Sequence, residues 1–210
     1  MYIQSIQQVL PGVYKITPDA GPAFFLRAAY LSAVSEERLL AGAAFDADEE
    51  QDLLHAVSVY GAECAAMTYL GRAEHCRAGL EAKLIKKGLD RAAVSQALDY
   101  LQSLRYVDDA RFAAAWLRNR SIDHLEGRRR LSAELSARQV SRDAAEKALD
   151  EFFASVDEED LCRRACERLL RFNRDEQKMR SSLMRSGFSL REISRVCQEK
   201  HSIFLQRMIE

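Results

Sequence analysis

Residues 106–149 read YVDDARFAAAWLRNRSIDHLEGRRRLSAELSARQVSRDAAEKAL. Three short amphipathic helices fit this stretch. One carries Phe112, Ala113, Trp116 and Leu117, one runs from Gly127 to Gln139, and one from Val140 to Leu149. Their apolar residues recur at spacings of three and four, the period of a half-buried helix. No constellation of catalytic groups sits among them, which points to a scaffold that binds something.

The same outline recurs on both sides. Leu80, Leu131 and Met179 lie 51 and then 48 residues apart, and aligning them brings their neighbours into register. One helical turn later come Leu84, Leu135 and Leu183. Next are Gly88, Gln139 and Gly187, where a helix that ends in a left-handed residue favours glycine, with Gln139 the odd one out. Leu89, Val140 and Phe188 follow, then Asp90, Ser141 and Ser189, side chains that accept the orphan amide protons of a new helix. Ser189 and Glu192 also fit a capping box. The new helix buries Val94, Ala145 and Ile193, then Leu98, Leu149 and Cys197. Helix, stop, cap and helix three times over define an internal repeat. Upstream of each copy lies another apolar helix, carrying Met67 and Leu70, then Phe112, Trp116 and Leu117, then Leu169 and Leu170.

The predicted fold is therefore mainly α: three tandem three-helix repeats at 62–106, 107–157 and 158–210, behind a front region of 1–61. In that region Val13–Thr17 and Phe24–Ala28 flank the turn cluster Pro18–Pro22 and predict a β-hairpin. Ser35–Leu40 predicts a short helix closed by Gly42, and Asp46 with Glu49 a capped helix running to Tyr60. Acidic Asp157–Asp160 starts the third repeat, and Ile203, Phe204 and Met208 suggest a final apolar anchor.

With 48% hydrophobic residues and a net charge of −1, the chain can bury a real core. The total hides an asymmetry. Lys and Arg number 3 against 8 acids in residues 1–61, but 12 against 9 in 158–210, so the two ends are suited to different surfaces. No apolar window is long enough to span a bilayer and no signal segment opens the chain, so a soluble, cytoplasmic, monomeric protein without membrane contact is expected. Five scattered cysteines argue against a disulfide framework.

Candidate chemistry is sparse. Asp108 and Asp109 are adjacent at a helix start, where capping outweighs metal binding for want of a third ligand. Cys162 with Cys166, and Cys64 and Cys76 around His75, lack the compact pairing of a zinc module and read as buried apolar residues. No phosphate loop, serine elbow or zincin motif is present. No enzyme activity, metal centre or cofactor is expected. Trp116, Phe112 and Tyr106 read as core rather than as stacking platforms.

The basic clusters remain as candidates for partner or phosphate binding. They are Lys83, Lys86 and Lys87 in the first repeat, and Arg118, Arg120, Arg128, Arg129 and Arg130 in the second. The third repeat adds Arg163, Arg164, Arg171, Arg174, Lys178 and Arg180, with Arg168 among them. At least one of Arg128–Arg130 must face solvent because Leu131 faces the core. The competing interpretation is a solvated face laced with Glu pairs. Dense arginine, however, favours phosphate or carboxylate partners.

The run Tyr106-Val107-Asp108-Asp109-Ala110-Arg111-Phe112-Ala113, followed by Gly127 and by Leu131 to Leu135 with Glu134, resembles the signature of the RecX family, regulators of the RecA recombinase. Leu80 to Gly88 resembles that family's first-repeat helix and glycine stop, and Leu183 to Phe188 the third-repeat equivalent. Arg138-Gln139-Val140 departs from the family's Lys-Gly-apolar ending and leaves the second repeat's turn open. The resemblance implies an elongated, curved array of three-helix repeats lying in the groove of a RecA filament on single-stranded DNA. It implies inhibition of filament extension, ATP hydrolysis, strand exchange and co-protease activity, with direct contact to single- or double-stranded DNA open. Asp108, Asp109, Arg111, Phe112, Gly127, Leu131, Glu134 and Leu135 would then be structural. The alternatives are a helix-turn-helix DNA-binding regulator, for which Asp90–Leu98 after a glycine turn has the outline, and a helical adaptor for another protein.

Overall fold

A computed structural model describes residues 1–171 and 175–209, with side chains followed as far as residue 199. Arg174, and the side chains of Ile203, Phe204 and Met208, fall outside the described residues. The chain divides into two compact units, Met1–Asp108 and Asp109–Glu210.

The first unit opens with three antiparallel strands in the order β1 (Ile3–Leu10), β2 (Val13–Pro18), β3 (Phe24–Arg27). The hairpin of β2 and β3 matches the expectation, in a register that pairs Tyr14 with Leu26 and Ile16 with Phe24. Strand β1 was not expected. Its apolar residues Ile3, Ile6 and Val9 fall every third position, whereas a regular strand alternates. Register shifts fall between Ile3 and Ser5 and between Gln8 and Leu10, and of the three Ile3 is buried, Ile6 half-buried and Val9 exposed. Between Ser35 and Leu40 only a single 3-10 turn forms, Glu36–Arg38.

Helix α1 (Ala47–Leu70) begins at the expected capping box, with Asp46 accepting from the Asp48 and Glu49 amides and Glu49 from that of Asp46. It runs ten residues past Tyr60, through Gly61. A lone interior glycine costs about 1 kcal/mol against alanine, too little to stop a helix whose next turns bury Ala62 and Ala66. The front region and first repeat therefore share one core, joining Ile3, Ile16 and Leu26 to Leu53, Ala56, Leu80, Leu84 and Leu98. Helices α2 (Arg77–Lys86) and α3 (Arg91–Ser103) complete the first repeat.

Two buried carboxylates on α1 tie down the front region. Asp52 accepts from the Ser32, Ala33 and Val34 amides at 2.9–3.0 Å and from the Ser32 hydroxyl at 2.6 Å. Burial pushes its carboxyl up, but the Ser32 hydroxyl and the three amides outweigh burial and hold it below its ordinary value. Glu63 takes both branches of the Arg27 guanidinium, at 2.8 and 2.5 Å, and the Tyr30 hydroxyl at 2.7 Å.

The second unit holds the other two repeats: α4 (Asp109–Asp123), α5 (Arg128–Ala137), α6 (Arg142–Ser155), then α7 (Glu158–Leu170), α8 (Glu176–Arg185) and α9 (Leu190–Ile209). The aligned positions are buried as expected, among them Leu131, Leu135, Val140, Ala145 and Leu149, then Met179, Leu183, Phe188, Ile193 and Cys197. Cys162 and Cys166 join the same core as the latter set. Burial, then the nearby Glu192 carboxylate, pushes the Cys162 thiol up to about 12.

The turn after the middle helix is the same in all three copies. Gly88, Gln139 and Gly187 all take the left-handed conformation, with φ of 88°, 59° and 92°. In each copy the residue's own amide reaches back three residues and the next amide five: Gly88 to Ile85 and Leu89 to Leu84, Gln139 to Ser136 and Val140 to Leu135, Gly187 to Met184 and Phe188 to Leu183. Gln139 thus departs in residue type alone, and the second repeat's turn does not differ in form. Asp90, Ser141 and Ser189 then cap α3, α6 and α9, accepting from the Ala93, Ala144 and Glu192 amides.

Candidate functional site

The middle helices α2 and α5 occupy the same place in their repeats, and both lie beside an aromatic ring from the preceding helix. On α2 the ring is Tyr69. Lys83 Nζ stands 5.5 Å from its centroid, and Lys87 Nζ, on the residue that closes the helix, stands 5.9 Å away. Lys83 Nζ also lies 3.3 Å from His75 Nδ1, and the His75 ring meets Tyr69 edge-on at 6.0 Å. Burial, then the Lys83 charge, holds the imidazole below its ordinary value against the opposing pull of Glu74. Lys83, Lys86 and Lys87 are all exposed, and no carboxylate partners any of them among the described residues.

On α5 the ring is Trp116, and the charges are paired. Arg120 gives both branches to Glu126 at 2.8 and 2.9 Å. Arg130 bridges Glu126 at 3.8 Å and Glu134 at 2.7 Å, and Arg138 takes Glu134 at 2.7 Å. The guanidiniums of Arg138 and Arg120 lie 4.6 and 5.8 Å from the Trp116 centroid. Arg120 and Arg138, respectively, hold the Glu126 and Glu134 carboxyls below their ordinary values. Trp116 and Phe112 are half-buried and Tyr106 is exposed, so of the expected α4 stripe only Ala113 and Leu117 are fully in the core. The guanidiniums stacked near the indole, rather than apolar side chains alone, surround Trp116.

The remaining candidates divide the same way. Arg128 meets Asp150 at 2.5 Å and lies 6.0 Å from the Phe153 centroid. Arg163 is shared among Glu159, Asp160 and Glu199, Lys178 pairs with Asp175, and Arg180 with Glu176. Arg118, Arg129, Arg164 and Arg171, with Arg168, are exposed and carry no carboxylate partner among the described residues. Arg129 is thus the member of Arg128–Arg130 that faces solvent without an ion pair.

The residues of the family signature take structural places. Asp108 stands immediately before α4 with Arg105 Nη2 2.9 Å from its carboxylate, Asp109 opens the helix, and Arg111 is exposed on its first turn. Leu131 and Leu135 are core, and Glu134 is the centre of the ion-pair network. Gly127 precedes α5, and its amide donates to Ser186 O at 2.9 Å. A Cβ on Gly127 would stand 2.7 Å from Gly187 C and O, and one on Gly187 would stand 2.3 Å from Arg130 N. Both glycines are demanded by this close approach of the second and third repeats. The sequence pattern marked Gly187 only as a helix stop and His75 only as a neighbour of Cys64 and Cys76, and it did not mark Tyr69 or Glu126. Tyr69 and His75 meet Lys83 across fourteen and eight residues and Glu126 meets Arg120 across six, outside the helical spacing that only Glu126 with Arg130 keeps.

Among the described residues no His, Cys, Asp and Glu group is arranged to hold a metal ion, and no helix is long and apolar enough to cross a membrane. A groove of about 340 Å³ in the second unit is lined in part by His124, Leu125, Arg168 and Ser186; Glu126 also lines it, with both oxygens already given to Arg120.

Three-helix units in tandem define a repeat protein. Residues 65–101 match the first three-helix domain of RecX, and residues 108–149 the second. A "Regulatory protein RecX" of Treponema pallidum is 40% identical over 130 residues, covering 62% of this chain and 79% of the relative. One from Prosthecochloris aestuarii is 30% identical over 139 residues, covering 64% and 89%. The fold also matches a crystal structure of a regulatory protein RecX, with a TM-score of 0.75 and 22% identity over 94% of this chain and 98% of that one. The structure of RecX from Lactobacillus salivarius matches with a TM-score of 0.59 and 23% identity over 68% and 96%. The chain belongs to the RecX family of regulatory proteins.

Proposed function

We propose that this protein regulates the RecA recombinase without catalysing a reaction of its own, by seating on RecA filaments formed on single-stranded DNA. In this reading it hinders filament extension and damps ATP hydrolysis, strand exchange and co-protease activity. It acts in the cytoplasm as a monomer. The observation that carries the proposal is the family membership, since the role is what the RecX resemblance implies. The physical chemistry is compatible. Tandem copies place several separate basic surfaces on one chain, and linked weak contacts reinforce one another once the first has formed. Lys83, Lys86 and Lys87 in the first unit, and Arg118, Arg129, Arg164 and Arg171 in the second, supply cations not committed to internal pairs.

The helix-turn-helix alternative gains little from α3, its would-be recognition helix. Arg91 lies 3.5 Å from Glu81, Gln96 is held by His55 at 2.9 Å, and Asp99 meets Arg77 at 2.7 Å. Titrating the protein into RecA on single-stranded DNA tests the proposal. ATP hydrolysis is expected to fall at less than one protein per RecA, and a rate that stays constant across the titration overturns it.

A further inference from the structure

We propose that the corner formed by Tyr69, His75, Lys83 and Lys87 is a seat for the phosphodiester backbone of single-stranded nucleic acid. It deepens the proposed function, resting on it only in that the filament carries such a strand.

Comparison of the two middle helices isolates what is unusual. Aligned on Leu80 and Leu131, Lys83 corresponds to Glu134 and Lys87 to Arg138. The second repeat thus fills the two positions with an ion pair at 2.7 Å beside Trp116. The first repeat fills them with two ammonium groups beside Tyr69. Like charges four residues apart on a helix destabilise it, whereas a Glu–Arg pair stabilises it. Local stability alone favours the second arrangement. The α2 C-terminus draws cations, but its macrodipole amounts to about half a negative charge. Lys83, Lys86 and Lys87 bring three positive charges against that half charge and the Glu74 carboxylate beside His75, so the corner stays electropositive. Exposed Arg72 lies on the loop between Tyr69 and His75, and no carboxylate partners it among the described residues.

The Tyr69 ring restrains the two flexible side chains through its π face, which fixes where an anion is held. Lysine binds phosphate as a point charge, whereas arginine's planar fork takes carboxylate or phosphate in bidentate fashion. His75 gives the seat a proton-linked response. The groups facing it are Tyr69 from α1, Lys83 from α2, and Glu74 from its own loop. Lys83 can donate to Nδ1 only while the imidazole is neutral. An arriving phosphate favours the imidazolium, releases Lys83 from that bond, and sets two cations against one anion. Binding therefore takes up a proton and weakens as pH rises, by up to about tenfold for each unit by which the bound phosphate lifts the His75 pKa.

The test uses the full chain, a labelled thymidine oligonucleotide, and no RecA, so its failure and that of the proposed function are separable. Replacing Lys83→Glu together with Lys87→Arg installs the second repeat's ion pair, and a melting temperature no lower than that of wild type checks the fold. Oligonucleotide affinity is expected to fall at least tenfold. The slope of log K against log salt should flatten by about 0.7 for each phosphate no longer neutralised. His75→Gln should remove the pH dependence of binding between pH 5.5 and 8, and the His75 ring resonances should titrate at higher pH with oligonucleotide bound. Unchanged affinity and salt slope in the double variant overturn the proposal. So does polyglutamate displacing the oligonucleotide at equal charge concentration, which would assign the corner to an acidic protein surface.

Discussion

The first and second repeats pose the same local problem and solve it in opposite ways. Each sets an aromatic ring from one helix beside the middle helix of the repeat, Tyr69 in one and Trp116 in the other. Around Trp116, three arginines share two glutamates and lock α4, the loop after it and α5 together. Around Tyr69, lysines stand with no carboxylate paired to them among the described residues. Cation density is thus a poor guide to a binding surface, because it counts charges before asking which are already spent. Arginine is the denser cation in the second unit, yet around Trp116 it is already paired.

The contrast extends to the glycine that ends each middle helix, and that is where the largest effect is expected. Gly88 and Gly187 share a left-handed backbone, but a Cβ at Gly88 meets nothing within 4 Å while one at Gly187 strikes the Arg130 backbone at 2.3 Å. Gly88→Ala should cost about 1–2 kcal/mol, the penalty of a left-handed alanine. Gly187→Ala adds an overlap that neither backbone can relieve cheaply and should cost roughly 3 kcal/mol or more. Denaturant unfolding of the two variants measures the difference, and equal losses would mean that the second and third repeats do not close on each other as described.

Breaking the arginine network comes next. Glu126 is largely buried, with its side chain 13% exposed, and holds Arg120 on both branches. Glu126→Gln leaves a partly buried guanidinium without its counter-charge and should cost about 2 kcal/mol, discounted from the 3–5 of a fully buried pair. The carboxyl is depressed in the folded state, so its contribution is complete above the unfolded value of about 4.3 and is lost as pH falls through the lower folded value. Wild type should therefore lose stability in acid more steeply than Glu126→Gln, by thermal unfolding between pH 5 and 3.

How much of this could be read in the chain depends on how far apart the interacting residues are. Stops and caps were legible because Gly88, Asp90 and Ser189 act on backbone within five residues of themselves. The burial stripe of each middle helix was legible for the same reason. The Trp116 network was legible in part: Arg130 with Glu126 and Glu134, and Arg138 with Glu134, are the Glu pairs four residues apart that the competing interpretation offered. Arg120, by contrast, reaches six residues forward to Glu126, and Arg138 reaches back to a ring on another helix. The Tyr69 corner was not legible, because Lys83 lies fourteen residues from the ring it covers. β1 hid behind its bulges, and α1 ran on because Gly61 looked like a boundary and was only a weak residue in a well-packed helix. Asp52 and Glu63 gave no pattern at all, since both serve a front region whose turns they define only once folded.

Gln139 offers a smaller and opposite effect. It holds φ at 59° without glycine's freedom, in a turn whose hydrogen bonds match those of the other two copies. Gln139→Gly relieves a left-handed strain of about 1–2 kcal/mol but returns some entropy to the unfolded chain, for a net gain of about 0.5–1 kcal/mol. A rise in the denaturation midpoint with an unchanged slope is the expected result. A loss of stability would mean that the Gln139 side chain makes a contact worth more than the strain.

The smallest effect separates the two repeats most sharply. Lys83→Glu with Lys87→Arg removes a repulsive pair and adds an attractive one, so the first unit should gain about 0.5 kcal/mol or slightly more, less at high salt. The result bears on function because of its sign. Substitutions inside a structural network lower stability, as Glu126→Gln does, whereas substitutions in a surface held open for a partner raise it while reducing binding. If the double variant instead unfolds more easily, the two ammonium groups beside Tyr69 are holding the corner together, and the distinction between a spent and an available cluster fails at the place where it is drawn most firmly.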